Sequence, residues 1–162
     1  MTDSELIADL RRRMQKLEDI EAIKTLRNLY HHYINEGTYG LVRNLVTEDA
    51  VVHLGYLAHY EGIEAIDRGF LAMGERERFF IKQFIHGHTV TVDGDRGTGF
   101  SYLEARYGRQ GTSYLVSGKY DDIYVRQDGK WLFKSMLCEF FYTVPAGVGW
   151  TGDELHYLRP KV

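Results

Sequence analysis

The chain has 162 residues, enough for one domain with a sizeable core, and a formal net charge of −3 at pH 7. Acidic and basic residues are interspersed without a basic face or an acidic tail, which argues against a nucleic-acid partner. The charged N-terminal segment lacks the apolar centre of a signal peptide, and no apolar run is long enough to span a membrane, so we expect a cytoplasmic protein without a membrane partner. The single cysteine, Cys138, excludes an internal disulfide and suits a buried strand position.

A long helical region is predicted at the start of the chain. Thr2 and Glu5 have the spacing of a capping box, and Gly37 is the expected C-cap. Apolar residues recur at helical spacing in two sets: first Leu6, Leu10, Met14 and Leu17, then Ile20, Ile23, Leu26, Tyr30, Tyr33 and Ile34. The two sets can belong to two helices or to one continuous helix. We place Arg27 mostly off this second stripe, and the helices from Leu6 onward are expected to pack against a sheet.

The middle of the chain alternates short helical and strand patterns. A short helix is predicted after Gly37, followed by a β-branched strand at 50–54 and a bend at Gly55. Helical spacing returns after Gly62. Four long strand-like segments follow from Phe79, separated by Gly-containing turns at 93–95, 108–111 and 127–129.

Helices followed by long strands, without βαβ alternation, predict an α+β fold with the N-terminal helices in the concave face of a strongly curved, mostly antiparallel sheet. Gly87, Gly99 and Gly118 lie inside strand patterns and are the expected bend or bulge positions. We treat 1–162 as a single domain and 144–162 as a C-terminal tail that covers an edge or meets a neighbouring subunit.

Aromatic residues are abundant: twelve Tyr, eight Phe and two Trp. A tyrosine combines a large apolar ring with a hydroxyl that needs a partner when buried. So many phenols suit a pocket for a ring-shaped ligand with oxygen substituents, although tyrosine is also common in sheets. The composition leaves these two interpretations open.

Four consecutive segments together resemble a known family: DIEAIKTLRNLYHHYINEG, YEGIEAI, VDGDRGTGFSYLEARY and GKYDDIYVRQDGKWLF. They are similar to the SnoaL-like branch of the nuclear transport factor 2-like superfamily, which includes scytalone dehydratase, bile-acid 7α-dehydratase and hexachlorocyclohexane dehydrochlorinase. The resemblance covers about residues 15–143. It implies a cone-shaped α+β barrel around a deep pocket, acid-base elimination without a cofactor, and a homotrimer or alternatively a homodimer.

The resemblance also suggests site residues. The family's helix tyrosine corresponds to Tyr30, and its acidic residue five positions later corresponds to Asn35, which cannot act as a base. The family's strand histidine corresponds to Gln83 without gaps, or to His86 or His88 after a short deletion. The family's downstream arginine has no counterpart that the sequence locates.

The residue types allow a consistent chemistry. His86 and His88, two apart on a strand, are predicted to share a face, and one of them to supply the base. Tyr30 would be the acid or would hold a substrate oxygen, and Asn35 would be an orienting group. His31 and His32 are expected mainly at the surface. A structural role for the strand histidines and a metal pair are the alternatives, although no ligand spacing for a metal is present. Tyr33 and Gln83 are further candidates for substrate binding. Strand parity alone does not sort the other possible lining residues: His53, Tyr56, Tyr102, Glu104, Arg106, Tyr114 and Tyr120.

The sequence thus favours a cofactor-independent, metal-free lyase acting on a hydrophobic aromatic small molecule, with dehydration or carbon–carbon cleavage releasing a small aldehyde as the reaction. A lignin-derived phenolic substrate is one specific version. A polyketide cyclase or isomerase and a non-catalytic binding domain are the alternatives.

Overall fold

The computed structural model describes residues 2–75 and 80–149. The chain begins with one continuous helix, α1 (Asp3–Glu36). Then follow, in order, a 3₁₀-helix (Tyr39–Leu45), β1 (Val46–Leu54), β2 (Ala58–Glu61), α2 (Ile63–Gly74), β3 (Phe80–Asp93), β4 (Arg96–Arg109), β5 (Thr112–Gln127) and β6 (Lys130–Pro145). β6 includes Val144 and Pro145, the first two residues of the predicted tail. Residues 150–162 of that tail lie outside the described part of the chain.

The ends of α1 follow from their cap residues. The Thr2 side chain accepts a hydrogen bond from the Glu5 backbone, and the Glu5 carboxylate accepts one from the Thr2 backbone, so the predicted capping box is confirmed. Gly37 ends the helix with φ of 71°, a left-handed conformation that glycine adopts without a side-chain clash.

Only the second half of α1 packs into the fold. Burial begins at Asp19, whose carboxylate accepts hydrogen bonds from the Trp131 indole at 2.9 Å and the Arg126 guanidinium at 2.7 Å. The apolar stripe before it stays exposed, from 42% at Leu6 to 66% at Leu17. The prediction that the helix packs on the sheet from Leu6 onward is therefore wrong for its first four turns. A 34-residue helix is about 51 Å long and extends beyond a small domain of about 30 Å.

The six strands form one curved, open sheet in the order β2-β1-β6-β5-β4-β3. The four long strands pair antiparallel as a meander, as predicted, and β1 adds to β6 in parallel. Along β5 buried and more exposed residues alternate, so that Val116, Tyr120, Asp122 and Tyr124 all point to the inner face. The fold class is thus the predicted α+β cone.

A β-bulge in β3 changes the direction of its side chains. Gly87 has φ of 56°, and the pairing with β4 shifts between His86 and Thr89. One extra residue in a strand moves every later side chain to the other face. His86 therefore points outward and His88 inward, and the prediction that they share a face is wrong.

Candidate functional site

A cavity of about 90 Å³ opens between the inner end of α1, the β1–β2 hairpin and the inner face of the sheet. Most of its wall is aromatic or aliphatic. The described residues that line it are Tyr30, Ile34, Leu54, Leu57, Ala58, Tyr60, Met73, Ile81, Gln83, Tyr107, Arg109, Tyr120 and Phe140. Such a wall, with a few polar groups among apolar ones, is typical of small-molecule sites.

Two buried phenols form the inner end of this cavity. Tyr30 and Tyr120 are each 1% exposed, and their ring centroids are 6.2 Å apart in an edge-on contact. Burial raises the pKa of Tyr30, and the nearby Arg27 guanidinium partly opposes that shift. Burial also raises the pKa of Tyr120 well above its ordinary value. Both phenols are therefore protonated at neutral pH and able to donate hydrogen bonds.

A buried ion pair lies behind the phenols. Arg27 on α1 pairs with Asp122 on β5; its Nε donates to Asp122 Oδ2 at 3.0 Å, and the side chains of both residues are fully buried. The guanidinium carbon lies 4.2 Å from the ring centre of Tyr120 and 4.7 Å from that of Phe133. Aromatic faces and the carboxylate together compensate the buried cation. The prediction that Arg27 lies off the buried stripe is wrong; its spacing from Ile23 and Tyr30 places it on that stripe.

His88 joins this ion pair through Tyr124. The Tyr124 hydroxyl donates to Asp122 Oδ2 at 2.8 Å, and the same oxygen lies 3.2 Å from His88 Nε2. Since the phenol proton goes to the carboxylate, the imidazole is the donor in this second contact. Burial, followed by the charges of Arg27 and Lys24, lowers the pKa of His88 to about 4. Gly99 leaves room for the ring, because an added Cβ there would lie 2.9 Å from His88 Nε2.

Gln83, which lines the cavity, is held by two residues of α1. His31 Nδ1 lies 3.1 Å from Gln83 Oε1. The Asn35 amide donates to the Gln83 carbonyl at 2.8 Å and accepts from the Gln83 backbone N–H at 2.7 Å. Asn35 thus pairs with the backbone of β3 and does not orient an imidazole. His31 is 5% exposed, so its predicted surface position is wrong; burial, followed by the charge of Arg27, lowers its pKa well below its ordinary value.

Four predicted residues lie on the outer face of the sheet. His86 Nε2 is 3.5 Å from the Glu104 carboxylate, and both side chains are about half exposed or more. Tyr102 is 47% exposed and packs against Phe141. Arg106 also contacts Glu104 there. These residues are separated from the cavity by the sheet itself.

The other predicted lining residues are not among the described residues that line the cavity. His53 contacts His59 across the β1–β2 hairpin, with 3.3 Å between their Nδ1 atoms. The exposed Tyr56 donates to Thr143 Oγ1 at 3.0 Å. Tyr33 packs on the core from the helix surface, and Tyr114 stacks on Tyr107 with 4.7 Å between ring centres. Of all predicted site residues, Tyr30, Gln83 and Tyr120 line the cavity.

Several residues of the candidate site were not identified from the sequence. Tyr60, Tyr107 and Arg109 line the cavity, and His31 and Arg27 support it. Along β4 inward-facing and outward-facing side chains alternate, and Tyr107 lies an even number of residues after the buried Leu103 and Ala105. This alternation therefore identifies Tyr107 as an inward-facing residue. Residues 2–75 and 80–149 contain no group of three or more His, Cys, Asp or Glu side chains arranged to hold a metal ion. No helix within these residues is long and apolar enough to cross a membrane.

Comparison with known proteins identifies related folds. A model of the SnoaL-like domain matches residues 15–136. A proposed scytalone dehydratase from Novosphingobium aromaticivorans superposes with a TM-score of 0.72 at 19% identity, covering 82% of this chain and 91% of that chain. A type 2 hexachlorocyclohexane dehydrochlorinase superposes with a TM-score of 0.77 at 18% identity, covering 87% of this chain and 98% of that chain. An NTF2-like protein with a cystatin-like fold from N. aromaticivorans superposes with a TM-score of 0.66 at 19% identity, covering 94% of this chain and 97% of that chain. At these identities the three structures establish a shared fold, and no curated protein matches the sequence.

Proposed function

The chain belongs to the SnoaL-like domain family, and from this premise we propose that it is a cofactor-independent lyase acting on a small, hydrophobic aromatic molecule. The observation that carries the proposal is the cavity at the inner end of α1. Its aromatic and aliphatic wall suits a ring, and the polar groups among its described lining residues are phenols, one amide and one guanidinium.

The polar lining favours chemistry in which negative charge develops on the ligand. Tyr30 and Tyr120 are protonated phenols, and Arg109 carries a permanent positive charge with only donor groups. Fixed donors aimed at a developing oxyanion lower the barrier of such a step. The lining supplied by the described residues contains no carboxylate and no imidazole, so the substrate itself is the best source of the electron pair that drives elimination.

A phenolic substrate, such as a lignin-derived one, fits this requirement. Electrons of the substrate phenolate are delocalised through the ring and displace a benzylic hydroxyl group. Tyr30 donates its proton to this leaving group, so that water leaves and a quinone methide forms. The tyrosinate then takes a proton from the adjacent carbon, whose electrons form the product double bond and restore the phenolate. Alternatively it takes the proton of a neighbouring hydroxymethyl group, and the carbon–carbon bond breaks with release of formaldehyde. Either route restores Tyr30, and Arg27, 5.2 Å from its ring, stabilises the transient tyrosinate.

The two strand histidines are not the catalytic base in this proposal. His86 is on the outer face, and His88 contacts Tyr124 behind the ion pair, so neither is assigned as the base. The described lining residues supply no imidazole and no carboxylate, and this also favours a second candidate, a non-catalytic domain that binds an aromatic ligand. In either case we expect a cytoplasmic homotrimer or alternatively a homodimer, on the basis of the family resemblance.

The test is a screen of hydroxylated aromatic compounds for new ultraviolet absorbance, followed by the Tyr30→Phe variant. Loss of the acid should lower turnover about 10²- to 10⁴-fold. Tyr102→Phe is the matched control, because it removes a phenol from the outer face and should leave turnover unchanged. Binding without turnover would favour the second candidate. Loss of turnover after chelation, restored by a divalent metal, would contradict the metal-free mechanism.

A further inference from the structure

Gln83 presents one defined side of its amide to the cavity. An amide oxygen only accepts hydrogen bonds, so the 3.1 Å contact requires His31 Nδ1 to carry the proton and to donate to Gln83 Oε1. With its oxygen occupied, the amide has its NH₂ group left for the cavity that it lines. His31 Nε2 then holds a lone pair, and this buried atom has no hydrogen-bond partner among the described residues.

The backbone of Gln83 is fixed from the same helix. Asn35 lies one turn after His31 on α1, and its amide bonds both the N–H and the carbonyl of Gln83. Two residues four positions apart therefore hold the side chain and the main chain of a single strand residue. This double attachment orients the amide before any ligand arrives.

The rest of the polar lining matches this orientation. Arg109 is donor-only, and the buried phenols of Tyr30 and Tyr120 keep their protons. The described lining has no carboxylate to accept from a ligand hydroxyl.

We propose that His31 and Asn35 orient Gln83 so that its amide NH₂ donates into the cavity, and that the cavity therefore selects ligands with an acceptor oxygen, a carbonyl or an oxyanion, at this position. The proposal rests on the proposed function in one respect, that this cavity is the substrate site. It makes Gln83 a specificity-determining residue, and His31 and Asn35 positioning residues.

The first experiment measures the His31 tautomer by ¹⁵N NMR of the imidazole in the full-length protein. The expected result is a protonated Nδ1 and an unprotonated Nε2 at neutral pH. A proton on Nε2 would overturn the proposal, because the Gln83 amide would then be reversed. This measurement requires neither a substrate nor turnover.

The second experiment compares two probes of nearly the same shape, acetophenone and α-methylstyrene, by isothermal titration calorimetry. One additional hydrogen bond should make acetophenone bind about 2- to 10-fold more tightly. Gln83→Leu should remove this preference. His31→Phe should reduce it, whereas His31→Asn, which keeps a donor near the Nδ1 position, should retain it. His32→Phe is the control, since His32 is the exposed neighbour on α1.

Equal affinity of the wild-type protein for both probes would overturn the proposal. If neither probe binds, the tautomer measurement alone decides. The result also separates this inference from the proposed function. A preference for the carbonyl probe without turnover of hydroxylated aromatics would support the role of Gln83 and contradict the lyase function. Turnover without this preference would support the lyase function and contradict the role of Gln83.

Discussion

Replacing Asn35 by Asp tests how α1 is attached to β3. The substitution changes only the amide NH₂ into an oxygen, so the hydrogen bond to the Gln83 carbonyl is lost while the one from the Gln83 N–H remains. An unsatisfied, partly buried carbonyl costs about 1–3 kcal/mol. A negative charge in the last turn of a helix costs a further ~0.3–1 kcal/mol. We therefore expect the free energy of unfolding to fall by about 2–3 kcal/mol near pH 7, and the melting temperature by about 5–10 °C.

The same variant has a predictable pH dependence. In its protonated form the introduced carboxyl can donate to the Gln83 carbonyl as the amide does, so its pKa in the folded protein should be raised above the ordinary value of about 4. The stabilising hydrogen bond is then present at low pH and is lost as the pH rises through that raised pKa. The Lys82 ammonium, which contacts the Asn35 backbone carbonyl, opposes the shift by favouring the carboxylate.

Urea unfolding of the wild type and the variant, near pH 7 and near pH 4, measures both effects. Asn28→Asp is the matched control, because it introduces the same group at an exposed position of the same helix. If Asn35→Asp were as stable as the control near pH 7, the pairing of Asn35 with the β3 backbone would be refuted. A deficit that did not shrink toward pH 4 would refute the assignment of the lost donor.

Three further predictions concern the interior. Arg27→Met should destabilise the fold by about 3–5 kcal/mol, since it leaves the Asp122 carboxylate buried without its partner, and Arg27→Met combined with Asp122→Asn should recover part of that loss in urea unfolding. His88 has a lowered pKa in the folded state, so its contribution to stability is present above its ordinary pKa of 6.5 and is lost as the pH falls toward about 4. The unfolding free energy of the His88→Phe variant should therefore change less than that of the wild type between these two pH values. Gly87→Ala should cost about 1–2 kcal/mol from its left-handed backbone alone, because an added Cβ meets no atom within 4 Å, and Gly87→Asn should cost less.

The helix pattern of α1 shows how far local information extends. Spacing and cap residues predict helical structure between Thr2 and Gly37, as one helix or two, because caps and amphipathic periodicity act within a few residues of the chain. Which half of that helix is buried depends instead on the extent of the sheet beneath it. Leu17 and Ile23 are both apolar residues of the helical pattern, yet Leu17 is 66% exposed and Ile23 is fully buried.

The candidate site likewise combines features that local sequence determines with features that depend on tertiary packing. The sequence by itself determined the α+β class, the order of elements, the turns and the presence of Tyr30 at a buried helix position, since these depend on periodicity, turn residues and a family pattern carried by the chain. Only the tertiary structure decided that His86 and His88 face opposite sides, that Arg27 pairs with Asp122, and that Asn35 and His31 both hold Gln83. A single bulge reverses strand parity, and hydrogen bonds between residues 48 or 95 positions apart exist only after the helix has packed on the sheet.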